Sequence, residues 1–243
     1  MRNVLVSGAS RGIGLAIAQR LCADGFNVIG LARNPSDAFR AAERAASTAA
    51  GKLHFRQADL SDVDAIAGLV RAIKAEFGAY YGLVNNAGLS QEGLLAILTQ
   101  RQIESMVRLN TLSPMLLTKF AVRSMMAEGR GRVINISSIM ASTGFSGLSV
   151  YGATKAGMVG FTRSLAREVG RVGVTVNAIA PGFIDTEMTA SMGDAERAKI
   201  AGRSALGRLA QVDDIANAAS FLMSDAAANI TGTVITVDAG STA

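Results

Sequence analysis

The stretch Asn3-Val4-Leu5-Val6-Ser7-Gly8-Ala9-Ser10-Arg11-Gly12-Ile13-Gly14 decides how the rest of the chain is read. It opens on an apolar, β-branched run of strand length, Asn3–Ser7. Glycines then recur in the spacing G-x-x-x-G-x-G, and a helix pattern, Ile13–Ala23, begins at once. A glycine turn between a strand and a helix N-terminus lets a ligand approach bare backbone. The free N–H groups and the positive end of the helix dipole there favour an anion such as a pyrophosphate. A glycine loop standing alone would be an ordinary tight turn. Its place after the first strand of an alternating chain gives it weight.

Outward from that loop, short apolar runs alternate with longer helical patterns. Further strands are expected at Phe26–Leu31, Leu53–Gln57, Tyr81–Asn85, Arg132–Ser137, Val174–Ala180 and Thr233–Val237. Several are almost continuously apolar, as strands buried on both faces of a parallel sheet must be. Helices are expected at Asp37–Ala49, Val63–Phe77, Gln100–Met126, Val150–Val169 and Asp213–Met223. This alternation leads to right-handed crossovers. The expected fold is α/β: a Rossmann-like, doubly wound, parallel seven-stranded sheet with helices on both faces. No repeat, low-complexity tract or linker divides residues 1–243, so a single domain is expected. The segment 182–208 departs from the rhythm and holds Met188, Met192, Gly193 and Gly202. It reads as a substrate-binding lid, or else as a pair of ordinary surface helices.

Composition excludes several classes. Of 243 residues, 49% are hydrophobic and 18% charged, enough apolar material for a packed core. With one Cys, Cys22, the chain can form neither an internal disulfide nor a Cys-based zinc cluster. The one His, His54, argues against His-rich metal binding, and both residues read as packing positions. Against 19 acidic residues stand 24 basic ones, a net charge of +5 that suits a phosphorylated cofactor or an acidic partner. The basic residues are scattered, so no nucleic-acid partner is expected. The longest uncharged stretch, Val133–Thr154, is rich in Ser, Thr and Gly, so neither a membrane span nor a targeting segment is expected, and the protein reads as cytoplasmic.

The second strand runs out at Gly30-Leu31-Ala32-Arg33. Selection of NAD usually places an Asp or Glu there, gripping the ribose 2′-hydroxyl. Here Ala32 and Arg33 stand instead, with Arg11 inside the glycine loop. Two guanidinium groups and no carboxylate favour the 2′-phosphate of NADP(H). The plainer alternative is that either arginine is a solvated surface residue. Asp59-Leu60 follow the third strand, where Asp59 could accept from the adenine amino group or cap a helix starting near Val63.

Tyr151 and Lys155 are four apart in a helix pattern and so share one helix face. A nearby ammonium lowers a phenol's pKa from its ordinary value near 10, which would suit Tyr151 for acid–base work. Ser138 ends a strand about a dozen residues earlier and could donate to a carbonyl oxygen beside Tyr151. Asn86-Ala87-Gly88 follow another strand end, and Asn110 interrupts a long helix pattern in which Asn is a mediocre former.

On these residues, together with Pro181-Gly182, the chain resembles the short-chain dehydrogenase/reductase family from end to end. One departure is Ser7, where the family usually has Thr; its hydroxyl can make the same hydrogen bonds. The resemblance implies that Tyr151 protonates a substrate carbonyl, Lys155 lowers the Tyr151 pKa and holds the nicotinamide ribose, Ser138 polarises the carbonyl, and Asn110 steadies a water that relays protons to Lys155. It implies a cofactor bound by Gly8, Ser10, Arg11, Gly12, Ile13, Gly14, Arg33, Asp59, Leu60, Asn86, Ala87, Gly88, Tyr151, Lys155, Pro181, Gly182, Ile184 and Thr186. Within the family the chain is most similar to the NADPH-dependent reductases of 3-oxoacyl thioesters carried on acyl carrier protein, which are usually homotetramers. Arg130, Arg132 and Arg171 are candidates for steering that acidic carrier to the mouth of the site, or else are scattered solvated charge. Phe145, Phe183 and the stretch Gly88–Leu98 are candidates for shaping the substrate pocket. The alternatives are another reductase of the family, acting on acetoacetyl-CoA, a sugar or a small ketone, and a non-catalytic dinucleotide sensor.

Overall fold

A computed structural model describes residues 1–184 and 193–243. The strands are β1 (Asn3–Ser7), β2 (Asn27–Ala32), β3 (Lys52–Gln57), β4 (Tyr80–Asn85), β5 (Gly131–Ile136), β6 (Val174–Pro181) and β7 (Val234–Val237). They form one sheet in the order β3-β2-β1-β4-β5-β6-β7, every neighbouring pair parallel. The order reverses at β1, which pairs with β2 on one side and β4 on the other. In open α/β sheets a ligand crevice lies at such a switch point, outside the C-terminal strand ends.

Among the described residues the helices are α1 (Gly12–Ala23), α2 (Asp37–Ala45), α3 (Ile66–Phe77), α4 (Gln100–Val107), α5 (Ser113–Ala127), α6 (Ser149–Val169), α7 (Asp194–Arg203) and α8 (Val212–Met223). Alternate strand residues feed two cores. Val4 and Val6 pack with Ile17, Leu21, Ile215 and Leu222 of α1 and α8 on one face. Leu5 and Leu83 pack with Ile73, Leu117 and Leu165 of α3, α5 and α6 on the other. Both faces are covered, which is why β1 and β4 need no polar side. Buried amides also cross the sheet. Asn85 donates to Thr118 and to Asn135, each at 2.8 Å, and Asn135 donates to Thr162 at 2.8 Å, so β4 and β5 are tied to α5 and α6.

Three elements differ from the sequence reading. The pattern expected as one helix over Gln100–Met126 is two, separated by a π-helical turn at Arg108–Leu112. Apolar periodicity runs through the break and conceals it, while Pro114 in the first turn of α5 marks it. The helix expected from Val63 begins at Ile66, after turns around Asp59 and Asp62. The helix expected to reach Ala49 ends at Ala45 and passes into a 3-10 turn over Ala46–Thr48.

Candidate active site

The glycine loop is built to keep side chains out. Gly8 and Gly12 have φ of +67° and +53°, a left-handed conformation that L side chains rarely adopt. A Cβ on Gly14 would stand 2.2 Å from the Gly8 carbonyl oxygen. Ser7 locks the loop to the end of β4: its Oγ accepts from the backbone N–H groups of Asn86 and Ala87 at 2.9 and 3.0 Å. The Asn86 amide returns a bond to the Ser7 carbonyl at 2.9 Å. At the start of α1, Arg11 makes no side-chain capping bond and no acidic residue stands in the first turn. The exposed backbone, the positive helix end and the absent carboxylates fit an anionic diphosphate.

Arg11 and Arg33 are both exposed on this side of the sheet. Asp59 is engaged locally: Oδ1 accepts from the Ser61 N–H at 2.9 Å and the Ser61 hydroxyl at 2.7 Å, which holds its carboxyl below the usual range. Asp59 therefore shapes a turn, and α3 begins after Ala65 without a side-chain cap. Leu60 is buried beside it.

Ser138, Tyr151 and Lys155 come together where β5 ends and α6 begins. Ser138 hydrogen-bonds the Tyr151 side chain and also accepts from the Met140 N–H at 3.2 Å. Burial pushes the Tyr151 phenol up, and the Ser138 bond pulls it partly back. Lys155 is buried, and its Nζ donates to the Ile136 carbonyl at 2.8 Å, 5.7 Å from the centre of the Tyr151 ring. Burial disfavours the ammonium and brings Lys155 down to about 8. Lys155, the group the sequence points to as lowering Tyr151, stands over its ring, while Ser138 is the group that pulls the phenol down against burial.

Asn110 sits in the π-helical turn and is buried. Its amide bonds both backbone groups of Leu89, each at 2.8 Å, just beyond Asn86-Ala87-Gly88. Gly88 lies between the two groups: a Cβ there would be 3.2 Å from Asn110 Oδ1 and 3.6 Å from Lys155 Nζ. Pro181 ends β6, and the Gly182 N–H bonds the Val237 carbonyl at 3.0 Å, so the chain leaves the sheet beside the end of β7, and Ile184 bridges to Ala210. Thr186, Met188 and Met192 lie outside the described residues. Phe145 and Phe183 pack with ring centres 6.0 Å apart.

Two residues that bond to this group were given no role by the sequence reading. The Ser137 hydroxyl donates to the Lys155 carbonyl at 3.0 Å, and Thr154 contacts Asn110 at 3.2 Å. Each stands next to a residue singled out, and only tertiary packing gives it a partner. One expectation needs correction. Arg130 and Arg171 precede β5 and β6 and Arg132 is the second residue of β5, so all three lie at the N-terminal ends of the strands, roughly 20 Å of strand away from Tyr151. They do not flank the mouth of this chain's own site, and Arg132 is buried.

The family model described as enoyl-(acyl carrier protein) reductase matches residues 8–242. The 3-oxoacyl-[acyl-carrier-protein] reductase FabG of Escherichia coli K12 is 41% identical over 236 residues, covering 97% of this chain and 95% of the relative. FabG of Haemophilus influenzae is 42% identical, covering 97% and 96%. Among solved structures, a Serratia marcescens short-chain dehydrogenase/reductase mutant superposes with a TM-score of 0.93 at 34% identity, over 100% of this chain and 98% of that one. A putative short-chain alcohol dehydrogenase from Sinorhizobium meliloti 1021 gives a TM-score of 0.93 at 33% identity, over 99% and 96%. The chain belongs to the short-chain dehydrogenase/reductase family.

As a short-chain dehydrogenase/reductase it is an oxidoreductase of C=O and CH–OH groups that uses a nicotinamide cofactor. The site agrees with that chemistry: the glycine loop at the start of α1 and the Tyr151, Lys155 and Ser138 side chains share one end of one sheet. Among the described residues no helix is long and apolar enough to cross a membrane.

Proposed function

We propose that this short-chain dehydrogenase/reductase reduces a 3-oxoacyl thioester, carried on acyl carrier protein, to the (3R)-3-hydroxyacyl thioester with NADPH. The observation that carries the substrate is the near-full-length similarity to reductases named for it, at 41% identity. Gly8, Ser10, Gly12, Ile13 and Gly14 take the diphosphate on backbone, and Arg11 and Arg33 take the 2′-phosphate. Asp59 and Leu60 border the adenine, and Asn86, Ala87 and Gly88 the ribose. Pro181, Gly182, Ile184 and Thr186 border the nicotinamide, which supplies a hydride when bound.

The chain's own residues manage the proton. Ser138 holds the substrate carbonyl oxygen against Tyr151. Burial keeps the Tyr151 phenol protonated at neutral pH, the form that a carbonyl reduction consumes. As negative charge develops on the carbonyl oxygen, Tyr151 gives up its proton. Lys155 holds the ribose hydroxyls and, close to half-charged near pH 8, restores the proton to Tyr151. Asn110 steadies the water through which Lys155 is recharged. Segment 182–208 serves as the substrate lid, and the exposed Val107, Leu112 and Met126 of the α4–α5 region suit burial in a homotetramer.

Steady-state NADPH oxidation is compared for a 3-oxoacyl carrier-protein thioester, acetoacetyl-CoA and a cyclic ketone. The carrier-bound thioester is expected to give the highest kcat/KM. Turnover of the ketone with none of either thioester would move the protein to a general carbonyl reductase, the reading favoured by its likeness to the putative alcohol dehydrogenase. Light scattering checks the assembly, and a monomeric mass would exclude the tetramer.

A further inference from the structure

One hydroxyl in the catalytic helix has no part in the chemistry above, yet it bridges two residues that do. Thr154 lies between Tyr151 and Lys155 and is 5% exposed. Its Oγ1 donates to the Tyr151 carbonyl at 2.7 Å. With that proton committed, the oxygen can only accept, and it accepts from Asn110 Nδ2 at 3.2 Å. The rest of the Asn110 amide is spent on Leu89: Nδ2 donates to the Leu89 carbonyl and Oδ1 accepts from the Leu89 N–H, each at 2.8 Å. An amide has two N–H groups, and here both are used. If the Thr154 oxygen were removed, one buried N–H would lose its partner, and the amide would be free to turn or to draw in water. The bonds run Leu89–Asn110–Thr154–Tyr151, joining the loop after β4, the π-helical turn and the catalytic helix.

We propose that Thr154 is a positioning residue that clamps the Asn110 amide to α6 and so sets where Asn110 stands relative to Tyr151 and Lys155. This rests on the role given to Asn110 above. It reaches further, because it ties the π-helical turn to the catalytic helix through the Thr154 hydroxyl. A residue that merely packed α6 would act on stability whether or not Asn110 were present. The clamp acts only through Asn110.

The test is a double-mutant cycle of Thr154→Val and Asn110→Ala, read as kcat and KM on whichever ketone the wild type turns over best, with Tm measured beside it. Thr154→Val is close in shape and removes the acceptor. It is expected to lower kcat about fivefold with KM nearly unchanged, the scale of one lost buried hydrogen bond. Thr154→Ser keeps the hydroxyl and is expected to return kcat to within about twofold. In the Asn110→Ala background, Thr154→Val is expected to cost nothing further. An equal loss in that background, or a lower Tm with kcat intact, would overturn the proposal. If Thr154→Val is too unstable to assay, Thr154→Ala removes the same acceptor and is read the same way. Should the wild type reduce a ketone but no thioester, the substrate reading falls while the cycle still decides the clamp.

Discussion

Where β1, β2 and β3 begin, charged and amide groups are paired with one another; at the C-terminal end of the sheet, Lys155 and the start of α1 leave hydrogen-bonding capacity over. Arg2 makes two bonds to Asp225, at 2.8 and 2.9 Å, and its guanidinium lies 4.4 Å from the centre of the Tyr81 ring. The pair holds the Asp225 carboxyl below its ordinary range. Beside it, Asn3 donates to the carbonyls of Phe77 and Ala79 at 2.7 and 2.9 Å and accepts from Asn27 at 2.7 Å. Asn27 Oδ1 is thereby left to accept, so His54 Nε2, 3.0 Å away, must carry its proton. At the other end Lys155 donates to one protein carbonyl and has two further N–H groups, and α1 starts without a side-chain cap. Both regions contain buried cationic or polar side chains. The difference is that Arg2, Asp225, Asn3, Asn27 and His54 satisfy one another within the chain, whereas Lys155 and the start of α1 keep donors to spare.

The sharpest way to test that division is to change a site residue without touching a packing contact. Tyr151→Phe is expected to lower kcat about a thousandfold, within the range for loss of a general acid, while NADPH binding and Tm stay close to wild type. Substantial residual turnover would remove Tyr151 from its role. Lys155→Met is expected to act in both directions: kcat falls about a hundredfold and Tm rises by about 2–4 °C at pH 7. The sign follows from burial. The folded-state pKa of about 8 lies below the unfolded value, so charging Lys155 opposes folding. That penalty is full below pH 8 and shrinks as pH rises toward the unfolded value of about 10.4. Thermal melts of the two proteins should therefore converge at alkaline pH. A Met variant less stable than wild type at pH 7 would mean that the Ile136 bond outweighs desolvation.

Most of the sheet is legible in the sequence because both cores demand it. Central strands buried on two sides read as nearly continuous apolar runs, and turn residues bound the edge strands, so all seven are located to within one residue at each end. What is hidden depends on packing between elements. The break at Arg108–Leu112 is invisible to periodicity because apolar residues recur at helical spacing on both sides of it. Ser138, Tyr151 and Lys155 are legible as a group because the chemistry fixes their types and spacing. Ser137 and Thr154 are not, because a buried hydroxyl's use is decided by which carbonyl or amide the fold brings to it. The misplaced role for Arg130, Arg132 and Arg171 has the same origin: a list of basic residues carries no direction, whereas strand polarity puts all three at the far end of the sheet.

A smaller effect is expected at the edge of the site. Arg33→Asp should shift cofactor preference from NADPH toward NADH by about tenfold to a hundredfold, the scale of one charge-assisted contact to phosphate. KM for both cofactors reads it, and an unchanged ratio would leave Arg33 as a surface residue. Folding should be indifferent, since Arg33 is exposed.

The smallest effect belongs to the opposite end and completes the comparison. Asp225→Asn removes the carboxylate shared by Arg2 and the more distant Arg132. Because Asp225 is 69% exposed in its side chain, solvent and salt screen the pair, and Tm should fall by only about 1–2 °C at pH 7 and low salt. The carboxyl is held below its ordinary value, so its contribution is present above the unfolded pKa and disappears as pH falls through the folded one. Melts of variant and wild type should accordingly merge in acid and again in high salt. Throughout, kcat and both cofactor KM values should match wild type, because the Arg2–Asp225 pair is spent within the chain and lies a full strand length from Tyr151. A change in kcat would mean that the base of the sheet is coupled to the catalytic end, and the two regions could no longer be treated as separate.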